Sequence, residues 1–254
     1  MVEASRLTKV FLCNPAVHEV NFIIRPGEVL GYLGPNGSGK STTVKMLTGL
    51  LEPTSGHIYW HGDSIRNNLS AYKRILGYVP EEPYLYPFLS GREYLQLVGR
   101  LRGLAEKPLG EKVDALLNLF SLFENRYSPI SSYSKGMKQK ILISAALLHN
   151  PEILIFDEPL SGLDVTSALV FKNLIRRLAG EGKLILYSSH VLEVVEKVCT
   201  RVIILRQGRI VAHDSVENLR ALLQSPSLED VFSQLVVQED TEKLAGDIVE
   251  VMKA

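Results

Sequence analysis

The chain has few of the residues and patterns that mark several protein classes. Among its 254 residues are only two cysteines, Cys13 and Cys199, which lie far apart and have no partners at metal-ligand spacing. We therefore interpret both as buried free thiols of a reducing cytosol. Basic and acidic residues balance, 28 against 28, so the basic surface typical of nucleic-acid-binding proteins is absent at the whole-chain level and no nucleic-acid partner is expected.

Long apolar runs are also absent. The longest, such as residues 141–148 and 153–156, are too short for a helix that crosses a bilayer. The first six residues lack the basic and then apolar build of a signal peptide. The sequence therefore predicts a cytoplasmic protein, which could still dock on a membrane protein.

Apolar spacing and turn residues divide the chain into four regions. Residues 1–81 are rich in strands and turns, with strands expected at 17–25, 27–33 and 56–60 and a helix at 41–50. Residues 82–150 show the helical spacing of a lobe, with helices expected at 90–101, 108–123 and 135–149. Residues 151–213 alternate strands and helices, which is typical of a parallel sheet covered by helices. Residues 214–254 form a more charged, helical tail.

A glycine-rich turn between an expected strand and an expected helix fits the P-loop pattern, G-x-x-x-x-G-K-[ST]. In such a loop, glycines let successive backbone N–H groups point at phosphate oxygens, and the helix adds the positive end of its dipole. The lysine reaches the β- and γ-phosphates, and the serine hydroxyl is the expected magnesium ligand. The alternative, a structural turn without a ligand, fits the flanking elements less well. The predicted nucleotide-binding residues here are Gly34, Pro35, Asn36, Gly37, Ser38, Gly39, Lys40, Ser41 and Thr42.

An apolar strand at residues 153–156 ends in two acids, Asp157 and Glu158. Beside a P-loop strand, the first acid would face magnesium and the second would polarise the water that attacks the γ-phosphate. Taken alone, two solvated acids at a strand end would be an equally good interpretation. Together with the P-loop, the pair predicts hydrolysis of a nucleoside triphosphate with Mg²⁺ as cofactor; the family resemblance described next implies that this nucleotide is ATP.

Ser134 is a good N-cap for the helix that starts at Lys135, and a helix start with a serine and Gly136 is a second candidate anion site. In isolation, an ordinary capped helix would be the better interpretation. The arrangement of Gly34–Ser41, Tyr133–Met137, Ile153–Glu158, Ser161–Asp164 and His190 in this order and spacing resembles an ATP-binding cassette. The chain thus looks like the nucleotide-binding subunit of an ABC transporter, and the resemblance covers nearly all of it.

The resemblance implies an α/β P-loop NTPase core with a parallel sheet, an N-terminal antiparallel β subdomain and an inserted α-helical lobe. It implies a head-to-tail dimer, either a homodimer or a paired cassette, in which Ser134, Lys135 and Gly136 of one subunit face the ATP on the P-loop of the other. His190 would be the switch histidine at the γ-phosphate, Asp164 would belong to the D-loop, and a membrane permease subunit would be the partner.

The sequence departs from the family pattern at three places. Glu81 stands where the family has a glutamine; because a carboxylate is repelled by a γ-phosphate, Glu81 would face the metal or its water, or turn towards the permease. Lys135 replaces a glycine, and either adds a cation near the shared phosphate or faces solvent. Phe11 replaces the more usual tyrosine where the family places an aromatic that stacks on adenine, and a core aromatic at the end of the first strand is an equally good interpretation.

Two of these departures, with residues 227–232 in the tail, resemble the type-two ABC exporter subfamily. The aromatic cluster at residues 84–89 would be part helical-lobe core and part groove for the permease, with some rings exposed. The alternative function is a cassette used in translation or DNA maintenance. The first usually has two cassettes in one chain and the second a long coiled-coil insertion, and neither feature is present here.

Overall fold

The computed structural model describes residues 1–236 together with residues 249, 251 and 252. Its strands are β1 (Val2–Phe11), β2 (Asn14–Ile24), β3 (Val29–Leu33), β4 (Ser55–Trp60), β5 (Asp63–Ser64), β6 (Leu76–Val79), β7 (Ile153–Asp157), β8 (Leu184–Ser188), β9 (Arg201–Arg206) and β10 (Arg209–Ser215). Its helices are α1 (Lys40–Leu47), α2 (Leu69–Arg74), α3 (Gly91–Leu101), α4 (Glu106–Leu119), α5 (Lys135–Leu147), α6 (Val165–Gly180), α7 (Leu192–Val198), α8 (Val216–Leu222) and α9 (Leu228–Val236).

The central sheet has the strand order β10-β9-β3-β8-β7-β6, and it is parallel except for β10, which pairs with β9 in the antiparallel sense. Every residue of β3, β7 and β8 is buried. This is expected for inner parallel strands that are covered on both faces, and it explains their unbroken apolar runs. The chain therefore has the predicted mixed α/β fold with a parallel sheet.

A second, antiparallel sheet of order β2-β1-β4-β5 lies in the first quarter of the chain. It packs on the central sheet through a shared apolar cluster that includes Phe22 and Ile58 from one sheet and Leu30 and Tyr32 from the other. The two sheets together thus enclose a common core, and this core supports the turn that follows β3.

Helices α3, α4 and α5 have an apolar cluster of their own, with Leu95, Val113 and Ile141 fully buried. Helix α3 begins with a capping box, in which Ser90 and Glu93 exchange hydrogen bonds with each other's backbone. These helices fall within the predicted lobe at residues 82–150. No helix among the described residues is long and apolar enough to cross a membrane.

Some element boundaries differ from the predicted ones for local reasons. Helix α1 ends at Leu47 instead of Leu50, because Gly49 adopts φ +65° just after it. Helix α4 ends at Leu119, because Ser121 adopts φ +57°. Asp214, expected to open the helical tail, lies in β10, and α8 starts only at Val216. Much of the predicted tail, namely residues 237–248, 250, 253 and 254, lies outside the described residues.

The interpretation of both cysteines as buried was wrong for one of them. Cys199 is buried under the central sheet, but Cys13 is exposed in the tight turn between β1 and β2. That turn leaves Cys13 no apolar partner to pack on, because it lies at a hairpin tip.

Candidate functional site

Most residues that the sequence predicts for the site lie at the carboxyl ends of four neighbouring strands, β3, β8, β7 and β6. The register aligns these ends, because Ser188 pairs with Tyr32 on one side and with Asp157 on the other. A ligand that sits over this edge can therefore be reached from several loops at once, which is the usual location of binding sites in open parallel sheets.

The P-loop connects β3 to α1 and is shaped by glycines at positions where a side chain does not fit. Gly39, the N-cap of α1, has φ +103°, and a Cβ atom there would lie 2.3 Å from the carbonyl oxygen of Ala16. A Cβ atom on Gly34 would lie 2.4 Å from Oγ of Ser38. The first N–H groups of α1 have no intrahelical acceptor, so they are available to an anion at this end of the helix.

A chain of three backbone hydrogen bonds holds the P-loop in place. The N–H of Ser38 donates to the carbonyl of Pro35 at 3.1 Å, and the N–H of Gly208 donates to the carbonyl of Ser38 at 3.0 Å. The N–H of His18 in turn donates to the carbonyl of Gly208 at 2.8 Å. The loop is thus fixed both by itself and by the β9–β10 hairpin and β2.

Lys40 lies over the loop, where its Nζ donates to the carbonyl of Gly34 at 2.7 Å and to that of Pro35 at 3.1 Å. Burial lowers the pKa of Lys40, although the charges of Glu158, Asp157 and Glu81 act in the opposite direction. The ammonium is therefore surrounded by acceptors and acids, and it lies beside the loop that is predicted to bind phosphate.

The carboxylate of Asp157 is buried at the end of β7 and meets the conditions for a cation site. Burial is the main cause that raises its pKa to about 6; the charges of Glu81 and Glu158 act in the same direction, and Ser188 and Lys40 act in the opposite one. Ser41 lies half-buried in the first turn of α1. A hydroxyl and carboxylates are the hard oxygen ligands that Mg²⁺ prefers, so the residues present fit the predicted metal.

The side chain of Glu158 is held by the loop that follows β8. Its carboxylate accepts a hydrogen bond from Oγ of Ser189 at 3.0 Å and one from the N–H of His190 at 2.7 Å. Nδ1 of the His190 ring lies 2.7 Å from the same carboxylate. The structure therefore brings together two residues that are 32 positions apart in the chain and were predicted separately. Ser189 was not predicted as a partner, although it directly precedes His190.

The predicted second anion site lies elsewhere. Ser134 is the N-cap of α5, as predicted, and its hydroxyl accepts the N–H of Met137 at 3.2 Å. Ser134 and Lys135 are exposed, and the stem of Lys135 packs over Gly162. Asp164 is the N-cap of α6, where it accepts the N–H of Ser167 at 2.8 Å. Among the described residues, no hydrogen bond joins the start of α5 to the P-loop.

Phe11 and Glu81 lie at the rim of the site. Phe11 is the last residue of β1 and is 45% exposed, so it is not part of the buried core, and Nζ of Lys9 lies 5.3 Å from its ring centroid. Glu81 is exposed and follows β6, close enough to Lys40 and Asp157 to affect the pKa of each. The aromatic cluster that follows Glu81 is partly exposed, as predicted: Leu85 packs on the core, whereas Tyr84, Tyr86 and Phe88 face outward.

Comparison with known proteins identifies similar chains in one family. A family model described as ABC transporter matches residues 17–161. The ABC transporter ATP-binding protein NatA of Bacillus subtilis (strain 168) is 37% identical over 224 residues, 88% of this chain and 91% of NatA. A structure described as the ATP-binding subunit of an ABC transporter is 32% identical, with a TM-score of 0.87, and the match covers 92% of this chain and 99% of that one.

A second structure is the dimeric ATP-binding cassette MJ0796 in a post-hydrolysis state, bound to ADP and Pi. It is 25% identical, with a TM-score of 0.79, and the match covers 85% of this chain and 98% of that one. The order of the motifs, the fold and the extent of these matches agree. The chain belongs to the ABC transporter family and is an ATP-binding, ATP-hydrolysing subunit of that family.

Proposed function

We propose that the chain works as a head-to-tail dimer that ATP closes, and that this dimer powers export through a separate membrane permease on the cytoplasmic side. The observation that carries the dimer is the separation of two anion sites on one chain. The start of α5 contacts the segment after Glu158, through Gly136 against Gly162 and Gln139 against Pro159, and not the P-loop. One ATP could use both sites only if a second copy supplied the other. The similar cassette MJ0796 is dimeric, which supports a dimer for this chain as well.

Within each composite site we assign roles from the geometry. Lys40 and the N–H groups of the P-loop would bind the phosphates, while Ser41 and Asp157 would hold Mg²⁺, with Glu81 at its outer side. The bound metal would neutralise phosphate charge. Glu158 would accept the proton of the attacking water, and His190 would contact the γ-phosphate. The start of α5 in the partner, with Ser134, Lys135 and Gly136, would close over the same phosphate.

The assignment of Glu158 is tested with Glu158→Gln, which keeps the side-chain volume but cannot accept a proton as a carboxylate does. We expect hydrolysis to fall by about 10²-fold or more. We also expect the variant to elute as a dimer in Mg-ATP, because ATP stays bound and uncleaved. Glu152→Gln is the matched control, since Glu152 lies just before the same strand but at its opposite, amino end and is exposed. Equal hydrolysis by the wild type and Glu158→Gln would show that the base is another group.

Export through a permease is supported by the motif resemblance and by the exposed ring cluster of Tyr84, Tyr86 and Phe88. Such a group of outward-facing aromatic side chains is typical of a protein–protein contact. A groove is lined by residues from the end of α1, from α2, from β6 and from the end of α3. Leu50 and Leu101 are exposed in it, and Lys73, Arg74 and Arg102 also line it. Apolar and cationic side chains together would suit a permease segment that is apolar and acidic.

The test is the double variant Tyr84→Ser and Tyr86→Ser. Cargo export in cells and recovery of the chain with washed membranes should both fall, while ATP hydrolysis by the purified chain stays near the wild-type rate. Tyr127→Ser is the control, because Tyr127 is also an exposed tyrosine of the helical region but is not one of the clustered rings at residues 84–88. Loss of folding in the double variant, detected by its thermal transition, would instead show that the two rings are needed for stability and would contradict a docking role.

A further inference from the structure

One face of helix α5 packs against the segment that follows Glu158. Gly136, Gln139 and Lys140 are spaced i, i+3 and i+4, so they lie together on one side of the first two turns. This side packs against residues 159–164, which link β7 to α6. The contact joins the helical region to the end of the catalytic strand.

Gln139 makes the central contact. Its side chain is 1% exposed, and its Nε2 donates to the carbonyl of Pro159 at 3.0 Å. A proline has no N–H, so this carbonyl is the only backbone group with which residue 159 can form a hydrogen bond. Removing the donor would leave a buried acceptor unpaired, which is unfavourable.

The residue next to Pro159 is Glu158, and its backbone is unusual. Glu158 has φ +49°, in the left-handed region that residues other than glycine rarely adopt. Such a conformation persists only where the surrounding contacts fix it. The hydrogen bond of Gln139 holds the peptide between Pro159 and Leu160, one residue beyond Glu158, so it helps to fix the backbone from which the Glu158 side chain extends.

Two further contacts join α5 to this segment. A Cβ atom on Gly136 would lie 2.4 Å from the carbonyl oxygen of Gly162, so the two backbones touch directly. Nζ of Lys140 lies 3.5 Å from Oδ2 of Asp164, and the hydrogen bonds from Ser167 lower the pKa of that carboxyl to about 2. The helix is thus tied to the beginning, middle and end of residues 159–164.

We propose that Gln139 is a positioning residue that couples the two ATP sites of the dimer, by tying Glu158 of one site to the start of α5, which serves the other. This inference rests on the proposed dimer. Because both ends of the tie belong to one chain, closing α5 on the partner's ATP would move or fix Glu158 at the chain's own ATP. Gln139 itself does not touch ATP.

The first test is Gln139→Met, which keeps an unbranched side chain of similar length but removes the donor. We expect kcat for ATP to fall about tenfold, the equivalent of ~1.4 kcal/mol. The Kd for ATP should stay within about twofold, and the Hill coefficient of hydrolysis should fall towards one. Ser144→Ala is the control: Ser144 is buried on the same helix, but its hydroxyl bonds only to Lys140 of its own helix. A parallel loss of kcat, ATP binding and thermal stability would show a structural role and overturn the inference.

A second variant gives a readout that packing alone would not produce. In Gln139→Glu, a protonated carboxyl can donate to the carbonyl of Pro159, whereas a carboxylate cannot. The activity of this variant relative to the wild type should therefore rise as the pH falls from 8 to 6. A constant ratio over this range would contradict a positioning role for the donated hydrogen bond.

Mixed dimers separate coupling from local positioning. One subunit carries both Gln139→Met and Glu158→Gln, and the other subunit is wild type. Hydrolysis then depends on the Glu158 of the wild-type subunit alone. In the proposed dimer, that ATP site is completed by α5 of the altered subunit. Coupling predicts a lower rate than in a dimer whose first subunit carries Glu158→Gln alone. Equal rates would overturn the coupling. Failure of the wild-type chain to form an ATP-dependent dimer would instead overturn the proposed function, so the two failures can be told apart.

Discussion

Oε1 of Glu158 accepts the backbone N–H of His190 at 2.7 Å, and the same oxygen lies 2.7 Å from Nδ1 of the His190 ring. The carboxylate side chain is 12% exposed and the ring 70% exposed, so a largely buried acid orients an accessible imidazole. The end of β8 supplies the ring, and the end of β7 supplies the acid.

The first prediction concerns this pair. His190→Ala should lower kcat for ATP by about 10²-fold, because the ring that would face the γ-phosphate is lost. Glu158 keeps its hydrogen bonds with the N–H of residue 190 and with Ser189, so ATP binding should change little. Steady-state hydrolysis at saturating Mg-ATP measures the effect. His57→Ala is the control, because His57 is an exposed histidine on β4. Retention of more than half the activity would remove His190 from the site.

The second prediction distinguishes the two interpretations of Phe11. If its exposed ring stacks on adenine, Phe11→Ala should raise the Kd for ATP about five- to tenfold, and Phe11→Tyr should leave it nearly unchanged. Leu12→Ala is the matched control, since Leu12 is the next residue and is 98% exposed. Calorimetric titration with a non-hydrolysable ATP analogue gives the Kd. An unchanged Kd with a lowered melting temperature would favour a packing role.

The third prediction concerns Glu81 and the metal. If its carboxylate faces Mg²⁺ or the water on it, Glu81→Gln should raise the Mg²⁺ concentration for half-maximal hydrolysis about threefold. Binding of metal-free ATP should tighten, because a negative charge near the phosphates is removed. Glu82→Gln is the control, because Glu82 is the neighbouring exposed acid and accepts the hydroxyl of Tyr84 at 2.9 Å. An unchanged Mg²⁺ requirement would point to the permease side instead.

The fourth prediction is a pH dependence of folding at the boundary between the helical region and the core. Nε2 of His149 donates to the carbonyl of Leu76 at 3.1 Å. Its pKa is lowered to about 4, first by burial and then by Arg102 and Lys112, although the hydrogen bond acts in the opposite direction. The folded chain therefore holds a neutral ring, while the unfolded chain takes up a proton below the ordinary pKa.

This difference has a definite sign. The unfolded state binds more protons between about pH 6.5 and pH 4, so stability from this group is present above that window and is lost as the pH falls through it, by about 2 kcal/mol. His149→Gln should flatten that part of the profile, since glutamine keeps a donor without titrating. Urea unfolding at several pH values measures it, with His57→Gln as control. Identical slopes for the wild type and His149→Gln would contradict a buried neutral ring.

The sequence predicts the core of the site well, because its motifs are local. The run from Gly34 to Ser41 is recognisable from its own glycines and lysine, although the hairpin at Gly208 also helps to hold the loop. The strand that ends at Asp157 is recognisable from its apolar run, and Ser134 caps α5 as its position before the helix predicts. The pair Gln207-Gly208 is likewise a typical turn sequence, and it forms the turn between β9 and β10.

Contacts between distant segments could not be predicted in the same way. Helix α2 and the short strand β5 have weak patterns and are defined by packing on β4 and β6. The hydrogen bond from Gln139 to Pro159 depends on how α5 lies against the end of β7, which no spacing in the sequence reveals. From the sequence alone, a glutamine on a helix is expected to face solvent, and only the fold shows that Gln139 is buried.

The hydrogen bond between Gly208 and Ser38 has a consequence for how the protein is made. The predicted phosphate-binding loop is synthesised well before the hairpin that braces it. A nascent chain that has not reached Gly208 therefore lacks this hydrogen bond, and its affinity for nucleotide should rise once the hairpin is added. A protein truncated before Gly208 would contain the whole motif and still lack the brace that gives it shape.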